Sequence, residues 1–251
     1  MRPYRHKLRV IILRGAIVFS CAAVCAQAEV VEYQVTFDAT WSQATHPQDF
    51  PPSPHFSGLI GGTHEDAVTF WQEGELATTG IENMAELGSK TALTNEVNAA
   101  IGAGDAFSVL SGGGISPSPG SVTLTFQVSD THHLVTLVSM LAPSPDWFVG
   151  VAGLDLRDGN GNWRNTVVVD LAPNDAGTDS GPTFTSANAD TQPPDPITNI
   201  SDSFPFAGTP PVGTFTFQLL TPPAIPATSF SGLALMAALM TAAGIFIMRR
   251  V

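Results

Sequence analysis

The stretch HHLVTLVSMLAPSPDWFVGVAGLDL, His132 to Leu156, sets two apolar runs on either side of a short proline-bearing loop. Leu134 to Met140 (LVTLVSM) is apolar at most positions, the pattern of a strand buried on both faces. Trp147 to Ala152 is a second β candidate. Between them Pro143 and Pro145 stiffen a loop that carries Asp146.

Outward from this pair, the same reading extends over the chain. Val31, Tyr33, Val35 and Phe37 recur at period two, as a half-buried strand requires. Ser121 to Val128 (SVTLTFQV) alternates likewise, and Trp163 to Val169 and Thr214 to Leu219 add further strands. Many short strands separated by Gly, Pro, Asn and Asp clusters predict an all-β protein, an antiparallel β-sandwich. Ile81 to Leu87 and Thr91 to Ile101 read instead as short accessory helices, the second with Leu93, Val97, Ala100 and Ile101 on one face. Ser111 to Gly120 (SGGGISPSPG) has the composition of a flexible loop, and Thr191 to Pro211 that of an irregular return. No internal repeat is evident, and residues 29–218 suit one domain.

Both ends read as targeting segments. Residues 1–28 combine a basic start, an apolar stretch from Gly15 to Val24 and the small-residue pattern Ala26-Gln27-Ala28, which predicts a signal peptide cleaved after Ala28. Cys21 and Cys25 both lie inside it, so the mature chain would hold no thiol. Residues 219–226 form a proline-rich spacer. Ala227 to Met248 is 22 residues without a charge, about 33 Å as a helix at roughly 1.5 Å per residue, enough for one C-terminal transmembrane helix. The basic tail 249–251, with Arg249 and Arg250, places that end in the cytoplasm and the domain on the outer, periplasmic or cell-surface side. Proline motif, apolar helix and terminal arginines resemble the C-terminal sorting signals that some Gram-negative bacteria use, although Phe230 stands at the usual acidic or tryptophan position.

Charge is distributed unevenly. All 22 Asp and Glu fall between Glu29 and Asp202, against three basic residues there, Lys90, Arg157 and Arg164. Nucleic acid is a poor partner for such a surface. A divalent cation suits it, as does a plain solvated exterior. From Asn165 to Ile200 there is no Lys or Arg, yet Asp175 and Asp179 flank Gly177 in NDAGTDSG. Calcium needs several hard oxygen ligands brought by loops that can curl around it. Asp175 and Asp179, with Asp146 from the stiffened loop, are the metal-ligand candidates; capping of turns through Asx bonds is the equal alternative.

Other chemistry finds less support. DGNGN, Asp158 to Asn162, opens like a calcium loop, but its sixth and twelfth positions are Trp163 and Val169, so a hairpin turn is expected. His46, His55, His64, His132 and His133 show no HExxH spacing. No GxSxG occurs, and Ser180 lacks a strand-to-helix setting.

Four blocks carry a family likeness: YQVTFDATWSQATHPQDFP (Tyr33 to Pro51), HFSGLIGGTH (His55 to His64), the opening stretch, and VDLAPNDAGTDSGPTF (Val169 to Phe184). Together they resemble the spondin domain, the N-terminal adhesive domain of animal F-spondin and mindin, over roughly Glu32 to Ile200. The resemblance implies a C2-like antiparallel β-sandwich that binds Ca2+ between loops at one end through Asp146, Asp175 and Asp179. It also implies non-catalytic work, adhesion to matrix, receptors or other surfaces. DGNGN replaces a cysteine-bearing hairpin of the animal pattern, and no thrombospondin-type repeat follows.

The resulting expectation is an exported, membrane-anchored, calcium-binding adhesion or ligand-binding module, whose partner is an extracellular protein or glycan. Two alternatives accompany it. One is a metal-dependent hydrolase on the same aspartates, with His132 or His64 as general base. The other is a polysaccharide-binding surface or biofilm component that stacks sugar rings on Trp41, Trp71 or Trp147.

Overall fold

A computed structural model describes residues 28–221. The expected signal peptide up to Gln27, the rest of the expected spacer beyond Thr221, the expected transmembrane helix at 227–248 and the basic tail lie outside the described residues. Among the described residues no helix is long and apolar enough to cross a membrane.

In chain order the strands and helices are β1 (Val30–Ala39), β2 (His55–Phe56), β3 (Ile60–His64), α1 (Thr79–Leu87), α2 (Thr91–Ala103) and β4 (Ala106–Ser111), followed by β5 (Gly120–Ser129), β6 (Leu134–Ala142), β7 (Trp147–Asp155), β8 (Thr166–Leu171), β9 (Asn174–Asp175), β10 (Thr198–Asn199) and β11 (Gly213–Thr221). A four-stranded sheet has the order β5-β1-β11-β8; a larger sheet runs β10-β9-β7-β6-β3-β4, with β2 beside β6. Every pairing between these strands is antiparallel.

The alternation in β1 becomes one wall of the core. Val31, Tyr33, Val35 and Phe37 are buried against Val135, Leu137 and Leu141 of β6 and Val149 and Val151 of β7 within one apolar cluster. The opposite side of β6 explains its unbroken apolar run. Val138 and Met140 belong to a second cluster with Ile81 and Met84 of α1 and Leu93 and Val97 of α2. All nine residues of β6 are buried, because it is sandwiched between a sheet and two helices. Each large apolar side chain buried this way contributes about 1.5–3 kcal/mol before entropy is counted.

The helices occupy nearly the expected spans. α1 starts two residues earlier because Thr78 caps it, accepting the N–H of Ile81. Glu96 of α2 accepts the Gly80 N–H at 2.7 Å and the Thr78 hydroxyl at 2.8 Å, which sets a carboxylate at the positive end of α1 and ties the helices together.

Two segments differ from expectation. The stretch between β4 and β5 has a flexible composition but is tied down at several points. Ile115 is buried and bridges Phe56, while Ser118 donates its N–H to Pro54 and its hydroxyl to Trp41. Composition misses it because those partners are distant in sequence. β11 continues through Leu219 and Leu220, where a spacer was expected to begin, since Leu219 still pairs with Tyr33.

Candidate metal centre

An aromatic cluster carries the loops at one end of the sandwich. Trp147, first residue of β7, packs its ring on Phe184 at 5.0 Å and Phe206 at 5.4 Å between centroids, and Phe184 also meets Trp41 at 5.2 Å. Segments following β9 and β10 are thereby anchored beside the β6–β7 loop.

That loop places Asp146 at zero exposure. Its Oδ2 accepts the N–H of Thr178 at 2.7 Å, the N–H of Asp179 at 3.1 Å and the Thr178 hydroxyl at 3.3 Å. Among the described residues Oδ1 has no hydrogen-bond partner. Its backbone carbonyl accepts the Ala176 N–H at 3.2 Å, so both ends of the residue fasten the 175–179 loop.

Asp175 and Asp179 stand on either side of the bend. Asp175 Oδ1 accepts the Gly177 N–H at 2.8 Å, and its Oδ2 accepts Trp147 Nε1–H at 3.1 Å. Asp179 is 5% exposed; its two oxygens accept the N–H groups of Gly181 at 2.8 Å and Ala189 at 3.0 Å. Gly177 has φ 75°, and a Cβ there would sit 2.0 Å from the Asp195 carbonyl oxygen. Only glycine permits both the left-handed turn and that approach. Both aspartates thus make the Asx bonds of the second sequence alternative while standing close enough to repel one another.

The electrostatics show strain of one sign. Burial, then repulsion from Asp175, pushes the Asp146 carboxyl up to about 6. Burial also raises Asp175, with Asp195 and Asp179 adding repulsion. Glu86 of α1 is raised by burial and by nearby Glu82, Asp179 and Asp190, offset by the Thr178 hydroxyl. Among the described residues no cationic side chain is paired with buried Asp146. Lys90 is held by Ser111 and Gly112, and the ion pair found among the described residues joins His133 to Asp155 elsewhere.

Glu86 and Asp195 were not singled out by sequence. Glu86 lies on a helix some sixty positions before Asp146, and Asp195 in a proline-rich stretch; no local pattern marks either, although both are acids in a chain poor in counter-charge. Asp195 lines an open cleft of about 670 Å³ together with Trp147, Asp175, Asp179, Ile200 and Phe204.

The hard-oxygen donors and the orphaned Asp146 Oδ1 fit a calcium ion in kind. In number the set is incomplete: among the described residues no three His, Cys, Asp or Glu side chains are gathered at metal-ligand spacing. Backbone carbonyls and water would have to complete the shell.

The remaining candidates lie elsewhere. His64 contacts Thr136 at 2.8 Å and the Glu65 carbonyl at 2.9 Å, and burial lowers its pKa. His132 contacts the Gly104 carbonyl at 2.9 Å and the hydroxyls of Ser129 and Thr131. Neither has a hydrogen bond to the aspartates. Trp41, Trp71 and Trp147 are at most 8% exposed, so they serve as core rather than as open platforms for sugar rings. DGNGN is a turn: Asp158 Oδ1 accepts the N–H groups of Asn160 and Asn162, and Arg157 bridges Trp163.

Across the fold and this loop cluster, residues 31–212 match the family model described as Spondin_N. The chain belongs to the spondin N-terminal domain family. Within it, this spondin domain is 38% identical over 190 residues to Spondin-2 of Rattus norvegicus, covering 73% of the chain and 56% of that protein. It is 37% identical over 190 residues to Spondin-2 of Homo sapiens, with the same coverage. Spondin-1 of Rattus norvegicus is 36% identical over 180 residues, 69% of the chain and 22% of that protein. The spondin domain thus spans about half the length of the Spondin-2 relatives it matches, and less of Spondin-1.

Proposed function

We propose that the chain is an exported, non-catalytic adhesion or ligand-binding module whose loops at Asp146, Asp175 and Asp179 hold a structural calcium ion. The observation that carries this reading is Asp146: a carboxylate at zero exposure, one oxygen unpartnered, with other carboxylates for neighbours. A buried charge of this kind costs several kcal/mol unless it is paired. Calcium, when bound, supplies two positive charges that offset the three carboxylates. The chain's own part is to fix the loops: Asp146 through the N–H groups of Thr178 and Asp179, Asp175 through Trp147, and Gly177 by bending between them.

Export rests on the leader at residues 1–28, and anchorage on the apolar segment 227–248 with its arginines. A C2-like arrangement would gather cation-binding loops at one end of a sandwich, which agrees with three aspartates on two neighbouring loops. Absence of catalysis is favoured by the commitment of His64 and His132 to other partners.

Titration of metal-stripped full-length chain with calcium by isothermal calorimetry tests the reading. Saturable binding that weakens at least tenfold in Asp175→Asn is the expected result. No heat of binding in either protein would contradict it.

A further inference from the structure

The cleft beside the aspartates has two kinds of wall. Asp175, Asp179 and Asp195 make one side acidic, while Ile200 and Phe204 supply apolar surface. Phe204 is 55% exposed, a large side chain with much of its surface still open to water. Its volume of about 670 Å³ falls within the range of roughly 300–1,000 Å³ usual for ligand pockets. Among the described residues no lysine, arginine or histidine lines it. The three basic side chains of the domain are placed elsewhere: Lys90 on Ser111 and Gly112, Arg164 on the Asp155 carbonyl, and Arg157 at the DGNGN turn.

Charge bookkeeping fixes the sign of what fits. Asp146, Asp175 and Asp179 with one divalent cation would leave a single negative charge, and Asp195 adds another. The cleft therefore stays acidic whether or not the cation is bound. A cation with an aliphatic stem, flanked by an apolar side chain, matches both walls, because Lys and Arg lay their stems on apolar surface while keeping the charged head at the carboxylates.

We propose that this cleft docks a basic segment of a partner protein, with Lys or Arg at Asp195 and an adjacent apolar side chain on Phe204. This deepens the adhesion-module reading by naming the partner's chemistry, and it uses two residues that are not among the proposed calcium ligands.

The test measures binding of three fluorescent hexapeptides to purified full-length chain in millimolar calcium: alternating arginine and leucine, alternating glutamate and leucine, and glycine with serine. Four proteins are compared: wild type, Asp195→Asn, Phe204→Ser and Asp170→Asn. The last removes an equal charge from exposed β8 and so controls for attraction by overall acidity. The arginine peptide is expected to bind, to weaken about tenfold in Asp195→Asn and in Phe204→Ser, and to weaken less than twofold in Asp170→Asn. Absence of arginine-peptide binding would overturn the proposal. So would preference for the glutamate peptide, the mark of a ligand bridged through a cation, or equal losses in Asp195→Asn and Asp170→Asn. Calcium binding is read in parallel: calcium uptake without peptide binding defeats only the docking site, and peptide binding without calcium uptake defeats only the metal site.

Discussion

Thr178 donates its backbone N–H to Asp146 Oδ2 at 2.7 Å, across 32 residues of sequence. This bond makes the β6–β7 loop and the loop after β9 one unit. It also aligns a buried carboxylate so that one oxygen serves the backbone while the other has no protein partner. The structural role of Asp146 and its proposed metal-binding role can therefore be separated by substitution.

Asp146→Asn keeps an acceptor for Thr178 and Asp179 but removes the charge. In chelator it is expected to melt at or above the wild-type temperature, and to lose the gain that calcium gives the wild type. Asp146→Ala leaves two buried N–H groups unsatisfied and should cost about 2–4 kcal/mol with or without calcium. Urea melts of the three proteins check this ordering.

The metal-free chain should also show an inverted acid response. Asp146 has a folded-state value of about 6 against an ordinary 3.8, so the folded state binds the proton more tightly than the unfolded chain. Its stabilising contribution is full below the ordinary value and is lost as pH rises through about 6, by up to about 1.4 kcal/mol per pH unit. Raised Asp175 acts in the same direction. Buried His46 and His64, held below the ordinary imidazole value, act in the opposite sense, so the readout is a comparison of proteins: in chelator the wild type is expected to lose more stability between pH 5 and pH 7.5 than Asp146→Asn does. With calcium the order should reverse, because protons compete for the same oxygens.

Gly177→Ala places a methyl group where the Asp195 carbonyl lies and forces an L-residue to φ 75°. The loop must shift, at a cost of about 1–3 kcal/mol. Calcium affinity is expected to fall more than tenfold while far-ultraviolet circular dichroism stays unchanged.

How much of this was legible follows from where each signal resides. β1 announces itself because Val31, Tyr33, Val35 and Phe37 alternate on a sheet with one buried face, and β6 because its two buried faces remove the alternation. Asp146 stands out beside proline in a short loop, and Asp175 and Asp179 beside glycine in a tract without basic residues. Glu86 and Asp195 do not, since only the packing of α1 and the return of the chain before β10 bring them near. Ser118 shows the same limit: glycine and proline around it read as slack, while its bonds to Pro54 and Trp41 come from contacts no local window contains.

Tyr33 supplies a prediction remote from the proposed metal site. Its hydroxyl donates to the Arg164 carbonyl at 2.6 Å, with the Leu156 carbonyl at 3.3 Å, and burial pushes its pKa up to about 12. The bond fastens β1 to the segments flanking the DGNGN turn. Tyr33→Phe should lower stability by about 1–2 kcal/mol in urea melts without altering calcium affinity.

The claim that calcium pins these loops is tested most directly by differential scanning calorimetry of full-length chain in excess calcium and in chelator. A hundredfold excess over Kd should add about 2.7 kcal/mol, which for a domain of this size raises Tm by roughly 5–10 °C. An unchanged Tm, together with no metal in the purified protein, would contradict the account.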